Sequence, residues 1–168
     1  KIENIEIRTE IFNSQYVKVA SENSDNVDLS NSEMKVNQVI AINNPILWSI
    51  ENPYLYKTKT QIFVDGELSD TYESNFGIRY FKFDLHKGFF LNGEHVRIYG
   101  VNDHHDLGAL GAALNARAIE RKFEIYKEMG CNAIRTAHNP PAPELLDLCD
   151  EMGFLVMDEA FDEWKRTK

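Results

Sequence analysis

The hydrophobic period of this chain runs in twos to about Phe83 and changes after one last hairpin, and that change limits the folds open to it. Before it, Ile5, Ile7, Thr9 and Ile11 alternate with polar neighbours, as do Tyr54, Tyr56, Thr58, Thr60, Ile62 and Val64. Successive side chains of a strand face opposite sides, so this is the pattern of half-buried β-strands. Asp65-Gly66 lies between Val64 and a further run from about Thr71 to Phe83. That pair suits a tight turn with positive φ and makes its flanking strands antiparallel. Ser21 to Asn26 and Asn43-Asn44-Pro45 read as polar turns, and Trp48 reads as a core aromatic of the same β-sandwich layer. The strands up to Phe83 are too few to complete a sandwich.

Beyond the hairpin Phe89-Phe-Leu-Asn92-Gly93-Glu-His-Val96 the pattern turns to alternating strand and helix. Val96 to Val101 reads as a buried strand. From Asn115 to Met129, helical spacing puts Ala118, Ile119, Phe123, Tyr126 and Met129 on one face, with Gly130 suited to the helix end. Asn132 to Thr136 is the next strand. Pro143 to Met152 reads as a helix with Pro in its first turn and Gly153 past its end, followed by a strand over Phe154 to Met157. Such alternation builds a parallel sheet through right-handed crossovers and opens either a barrel or a doubly wound fold. A whole eight-stranded barrel needs about 250 residues. With Lys1 in place of an initiator Met and Lys168 soon after the third strand, the expectation is an internal piece of a longer protein.

Hydrophobic residues make up 43% of the chain, enough for a packed core. The net charge of -9 is spread out and contains no Lys/Arg run, which argues against nucleic acid and anionic membrane surfaces as partners. No apolar stretch approaches the ~20 residues of a membrane span. Cys131 and Cys149 form neither a CxxC pair nor a disulfide framework. No residue pattern calls for a cofactor. A homo-oligomer and the cellular compartment both stay open.

In α/β folds, chemistry gathers at the carboxyl ends of the strands. All three expected strands end in polar residues: Asn102-Asp103-His104-His105-Asp106, then Arg135-Thr-Ala-His138-Asn139, then Asp158-Glu159. The first group could ligand a metal, but adjacent His104 and His105 point apart in an extended segment, so no metal is assigned and hydrogen bonding to sugar hydroxyls or loops is preferred. Arg135, ending a buried strand, requires a carboxylate opposite it, which Asp158, Glu159 or a residue outside the chain could provide. Asp158 and Glu159 are rejected as a catalytic pair, because adjacent strand residues face opposite ways while glycosidase carboxylates straddle the substrate about 5 to 9 Å apart. Trp164 lies where an aromatic ring could cover a pyranose face or equally pack under a loop.

The segment Asn132-Ala-Ile-Arg135-Thr-Ala-His138-Asn139-Pro140, with Leu145-Leu146, Asp150, Gly153 and the run Phe154 to Met157, resembles the signature of glycoside hydrolase family 2. Leu47-Trp-Ser-Ile-Glu-Asn-Pro-Tyr-Leu-Tyr56, Phe76-Gly-Ile-Arg79, Leu91-Asn-Gly93 and Gly100-Val-Asn102 extend the resemblance. It implies a partial immunoglobulin-like β-sandwich over residues 1–84 and the first strand-helix units of a catalytic (β/α)8 barrel over residues 85–168. It further implies a retaining exo-β-glycosidase whose two catalytic glutamates lie outside this chain, and a β-linked oligosaccharide or glycoside as partner. By the resemblance Arg135 orients the nucleophile and His138 contacts the sugar, with Asn102, His104, Asp158, Glu159 and Trp164 as further binding or orienting residues. The run Asp158 to Trp164 is most similar to β-galactosidases of the family; β-glucuronidase or β-mannosidase activity is the alternative. Asn139, where the family usually has Tyr, and Lys165, where β-galactosidases often carry a His, depart from the pattern. Two readings from other classes remain: a non-catalytic carbohydrate-binding sandwich and a metal hydrolase centred on His104 and His105.

Overall fold

In a computed structural model, residues 4–25 and 34–160 of the chain are described. They fall into two compact units, one built from residues up to Ile46 and Tyr54–Ile78, the other from Leu47–Pro53 and the residues from Arg79 onward.

The first unit holds a four-stranded antiparallel sheet of β1 (Ile5–Phe12), β2 (Lys18–Ser24), β3 (Tyr56–Val64) and β4 (Glu67–Phe76), in the order β2-β1-β3-β4. The period-two reading holds in β1, where Ile5, Thr9 and Ile11 are buried. At the hairpin between β3 and β4, Asp65 and Gly66 have φ of 50° and 88°, the two positive values this tight turn requires. Two expectations need correction. Ser21 to Ser24, read as the start of a turn, belongs to β2, where Ser21 pairs with Glu10 and Ser24 with Ile7. These residues are polar because β2 is an exposed edge strand. The run from Thr71 to Phe83 is also not one strand. It breaks after Phe76 and resumes at β5 (Phe81–Asp84) in the other unit.

In the second unit, β5, β6 (Gly88–Leu91) and β7 (Glu94–His95) form an antiparallel meander whose second turn is Asn92-Gly93, again with positive φ at both residues. After it come β8 (Gly100–Asp103), α1 (Ala116–Glu128), β9 (Ala133–Thr136), α2 (Pro143–Met152) and β10 (Leu155–Met157). The sheet is parallel with β9 between β8 and β10. Each strand is therefore laid beside its predecessor, a winding that opens a barrel and equally one half of a doubly wound sheet.

Both helix boundaries have local causes. Asn115 caps α1 by accepting the Ala118 N–H, and Pro143 opens α2 where no N–H is needed. Gly153 closes α2 at φ 73°. Ile119 and Phe123 of α1 pack with Leu145 and Cys149 of α2, Ile134 of β9 and Phe154 into one core. Phe123 is wholly buried, a contribution of roughly 1.5 to 3 kcal/mol for such a side chain. Met129, expected on this face, is exposed beyond the last turn of α1. The first strand of this sheet begins at Gly100, later than the sequence suggested, and of its residues only Asp103 is buried, since β8 is an edge of the described sheet.

Trp48 corrects the sequence reading most directly. It belongs to the second unit, 1% exposed, with its indole N–H donating to the Asp150 carbonyl at 2.8 Å and the Arg79 guanidinium 4.6 Å from its ring centre. Asn92 donates to its backbone carbonyl at 2.9 Å. The segment Leu47–Pro53 thus packs with residues far along the chain.

Candidate active-site wall

The candidate residues sit at the carboxyl ends of β8, β9 and β10, and strand alternation decides which of them meet. In register, Asn102 lies beside Arg135 and Asp103 beside Thr136. Asn102 and Arg135 project on one face of the sheet, and Asp103 projects on the helix-covered face, because successive strand residues point oppositely.

Arg135 donates from Nη1 to Asn102 Oδ1 at 3.1 Å and from Nη2 to Glu159 Oε1 at 2.9 Å. Nη2 also lies 2.7 Å from Glu159 Oε2. Its approach to that oxygen is not aligned for a hydrogen bond, and Oε2, although buried, has no hydrogen-bond partner among the described residues. The carboxylate that Arg135 was expected to need is therefore present in this chain as Glu159. Thr136 holds the segment after β10 in place: its hydroxyl donates to Asp158 Oδ1 at 3.2 Å and accepts the Glu159 N–H at 3.0 Å. Asp158 and Glu159 thus have separate partners, Thr136 for one and Arg135 for the other.

His138 stands across Glu159 from Arg135, with Nδ1 3.5 Å from Oε2. The peptide bond before it, Ala137-His138, is cis. His104 meets His138 edge to face, ring centres 5.4 Å apart. Of the seven candidates, Asn102, His104, Arg135, His138, Asp158 and Glu159 therefore form one connected group; Trp164 lies outside the described residues, as does Lys165.

Asp103 does separate work. Its Oδ1 lies 2.6 Å from Lys122 Nζ and accepts the Tyr126 hydroxyl at 3.0 Å, tying β8 to α1. Burial, more than the neighbouring carboxylate, raises the Tyr126 phenol above its ordinary pKa. Burial likewise pushes the Cys149 thiol up to about 12, so it stays protonated within the core. Reading the sequence singled out none of Asp103, Lys122, Tyr126 and Thr136 as a group, although the alternation from Asn102 to Asp103 carried a signal that the two side chains part. Among the described residues, no three His, Cys, Asp or Glu side chains converge as a metal site.

An antiparallel sheet followed by sequentially wound strand-helix units, with polar strand ends gathered around an arginine-carboxylate pair, is the class of arrangement in which a (β/α)8 barrel can begin. Comparison with known proteins narrows this. The family model described as "Glycosyl hydrolases family 2" matches residues 1–79, and that described as "Glycosyl hydrolases family 2, TIM barrel domain" matches residues 84–164. A β-galactosidase of Bacteroides ovatus is 49% identical over 99% of this chain and 20% of its own length. A putative β-glucuronidase of Formosa agariphila is 42% identical over 76% of this chain and 12% of its own length. A family 2 member from Bacteroides cellulosilyticus, of solved structure, superposes with a TM-score of 0.94 at 39% identity, covering all of this chain and 22% of that one. The chain belongs to glycoside hydrolase family 2, and comprises part of the immunoglobulin-like sandwich and the first units of the (β/α)8 barrel. It spans about a fifth of the length of the Bacteroides ovatus and Bacteroides cellulosilyticus proteins.

Proposed function

We propose that this chain forms part of a retaining exo-β-glycosidase that removes terminal β-galactosyl groups, and that Arg135 and His138 line its glycone site. The observation that carries this is the convergence of Asn102, Arg135, His138 and Glu159 on the ends of adjacent parallel strands. Retaining hydrolysis needs one carboxylate as nucleophile and another as acid/base, about 5 to 5.5 Å apart. Adjacent Asp158 and Glu159 turn to separate partners, Thr136 and Arg135, and do not face each other across a substrate as such a pair must, so both catalytic glutamates are assigned to residues outside this chain.

Arg135 contributes by charge. A guanidinium has five N–H donors, and among the described residues two of them are committed, to Asn102 and Glu159, which leaves others for an incoming carboxylate. A charge-assisted hydrogen bond from Arg135 holds such a nucleophile ionised and oriented. His138, with its side chain 46% exposed, has a ring able to reach a sugar hydroxyl.

The galactoside reading rests on the extensive match to the Bacteroides ovatus β-galactosidase. A β-glucuronidase is the second reading, favoured by the relatives named for that activity, including one of Bacteroides fragilis 37% identical over 84% of this chain. The full-length protein assayed with nitrophenyl β-galactoside and nitrophenyl β-glucuronide separates the two. Turnover of the galactoside is expected; turnover of the glucuronide alone would transfer the assignment, and turnover of neither, nor of other aryl β-glycosides, would remove it. The isolated 168-residue chain is expected to hydrolyse neither.

A further inference from the structure

The two carboxylate oxygens of Glu159 are engaged differently. Oε1 accepts a hydrogen bond from Arg135 Nη2, while Oε2, 2.7 Å from the same Nη2, is buried with no aligned hydrogen bond among the described residues and has His138 Nδ1 3.5 Å away. A buried carboxylate oxygen with acceptor capacity left over favours an arrangement that supplies it with a further donor. The backbone of Glu159 is pinned to the buried hydroxyl of Thr136, so the carboxylate has little freedom to turn away. The far edge of the His138 ring is not so enclosed, as the half-exposed side chain shows.

From this geometry we propose that Glu159 is a positioning residue that holds the proton of His138 on Nδ1, so that Nε2 faces the crevice as an acceptor for a sugar hydroxyl, while the same carboxylate anchors Arg135. One carboxylate would then set the donor pattern of both residues that line the glycone site. The chemistry is that of a carboxylate behind an imidazole: the hydrogen bond on one nitrogen fixes the tautomer and so the character of the other. An amide in place of Glu159 cannot do both tasks, because one end of Gln is an NH2 group that would confront either the Arg135 guanidinium or the His138 N–H. The inference rests on the glycosidase reading and would fall with it if the full-length wild-type protein turned over no aryl β-glycoside.

The test uses the full-length protein and the aryl β-glycoside that it hydrolyses best. Glu159→Gln is expected to lower kcat/KM by about 10- to 100-fold, the loss typical when the carboxylate behind a functional imidazole is removed. A merely structural role would lower the melting temperature and leave losses additive. If Glu159 acts through His138, the double variant Glu159→Gln/His138→Ala loses less than the product of the two single losses, and what it loses beyond His138→Ala is the share that runs through Arg135. Losses that multiply would overturn the proposal while leaving the glycosidase assignment intact, as would an unaltered kcat/KM in Glu159→Gln. Should Glu159→Gln not fold, neutron diffraction of the wild-type protein decides: a proton on His138 Nδ1 is the expected result, and a neutral ring protonated on Nε2 overturns it.

Discussion

Gly153 lies so close to the backbone of Ile50 that a Cβ built on it would sit 2.3 Å from the Ile50 carbonyl oxygen and 3.0 Å from the carbonyl carbon. The contact joins the end of α2 to the segment carrying Trp48, and backbone atoms on the far side cannot move aside as a flexible side chain would. Gly153 also has φ 73°, where a side chain is strained whatever the space. Gly153→Ala is therefore expected to cost about 2 to 5 kcal/mol, from the left-handed backbone and the overpacking together. Urea denaturation of the full-length protein checks this; a midpoint equal to wild type would mean that the Leu47–Pro53 segment yields.

Asp103 should matter to folding more than to chemistry. It is 6% exposed and holds Lys122 and Tyr126 of α1, so its removal strands a partly buried ammonium and a phenol. Asp103→Ala is expected to destabilise by roughly 3 kcal/mol or more, in line with the breaking of a buried ion pair from one side. Tyr126→Phe, which removes only the hydroxyl hydrogen bond, should cost about 1 kcal/mol. Thermal melts of the two variants test the order, and a larger loss for Tyr126→Phe would contradict it.

In the full-length protein, Arg135→Ala and His138→Ala are expected to lower kcat/KM by about 100- to 1000-fold, the scale of losing one charge-stabilising donor at a transition state. His104→Ala should cost less, since His104 reaches this group only through the His138 ring. Steady-state kinetics with circular dichroism to monitor folding would show it. Near-wild-type activity of Arg135→Ala beside an inactive His104→Ala would invert the assignment of the site.

Asp150 supplies a pH-dependent prediction. Burial, the largest influence, raises its pKa above the ordinary 3.8, with Arg79 opposing and Asp147 adding to the rise. A carboxyl whose folded pKa is raised binds its proton more tightly in the native state, so its contribution to stability is present at low pH and is lost as pH rises through the folded value. Asp150→Asn, which cannot ionise, should thus melt higher than wild type at pH 7. The advantage should shrink once pH falls below about 4, where the wild-type group is protonated in both states. A difference that is constant between pH 3 and pH 7 would show that ionisation is not its cause.

The elements of this protein were legible wherever their causes are local. Pro143 and Gly153 mark the observed ends of α2, and Asp65-Gly66 and Asn92-Gly93 mark two of the hairpin turns, because backbone conformation at those residues depends on their own side chains. The need of Arg135 for a carboxylate was legible too, since a permanent charge ending a buried strand has few alternatives. Polar residues misled where an exposed edge strand and a turn have the same composition, as at Ser21 to Ser24.

What sequence by itself determined is the kind of element at most stretches, the switch from antiparallel strands to alternating strand and helix, and the set of polar strand ends. Which of those residues meet was decided only by tertiary structure: Glu159 and not Asp158 for Arg135, Asn102 and not Asp103 on the site face, Trp48 with Asp150 and Arg79. The physical reason is one of range. A turn or a helix cap is settled by interactions within a few residues, whereas a salt bridge between strand ends depends on the register of parallel strands whose pairing is fixed by a shared core of Ile119, Phe123, Ile134, Leu145, Cys149 and Phe154.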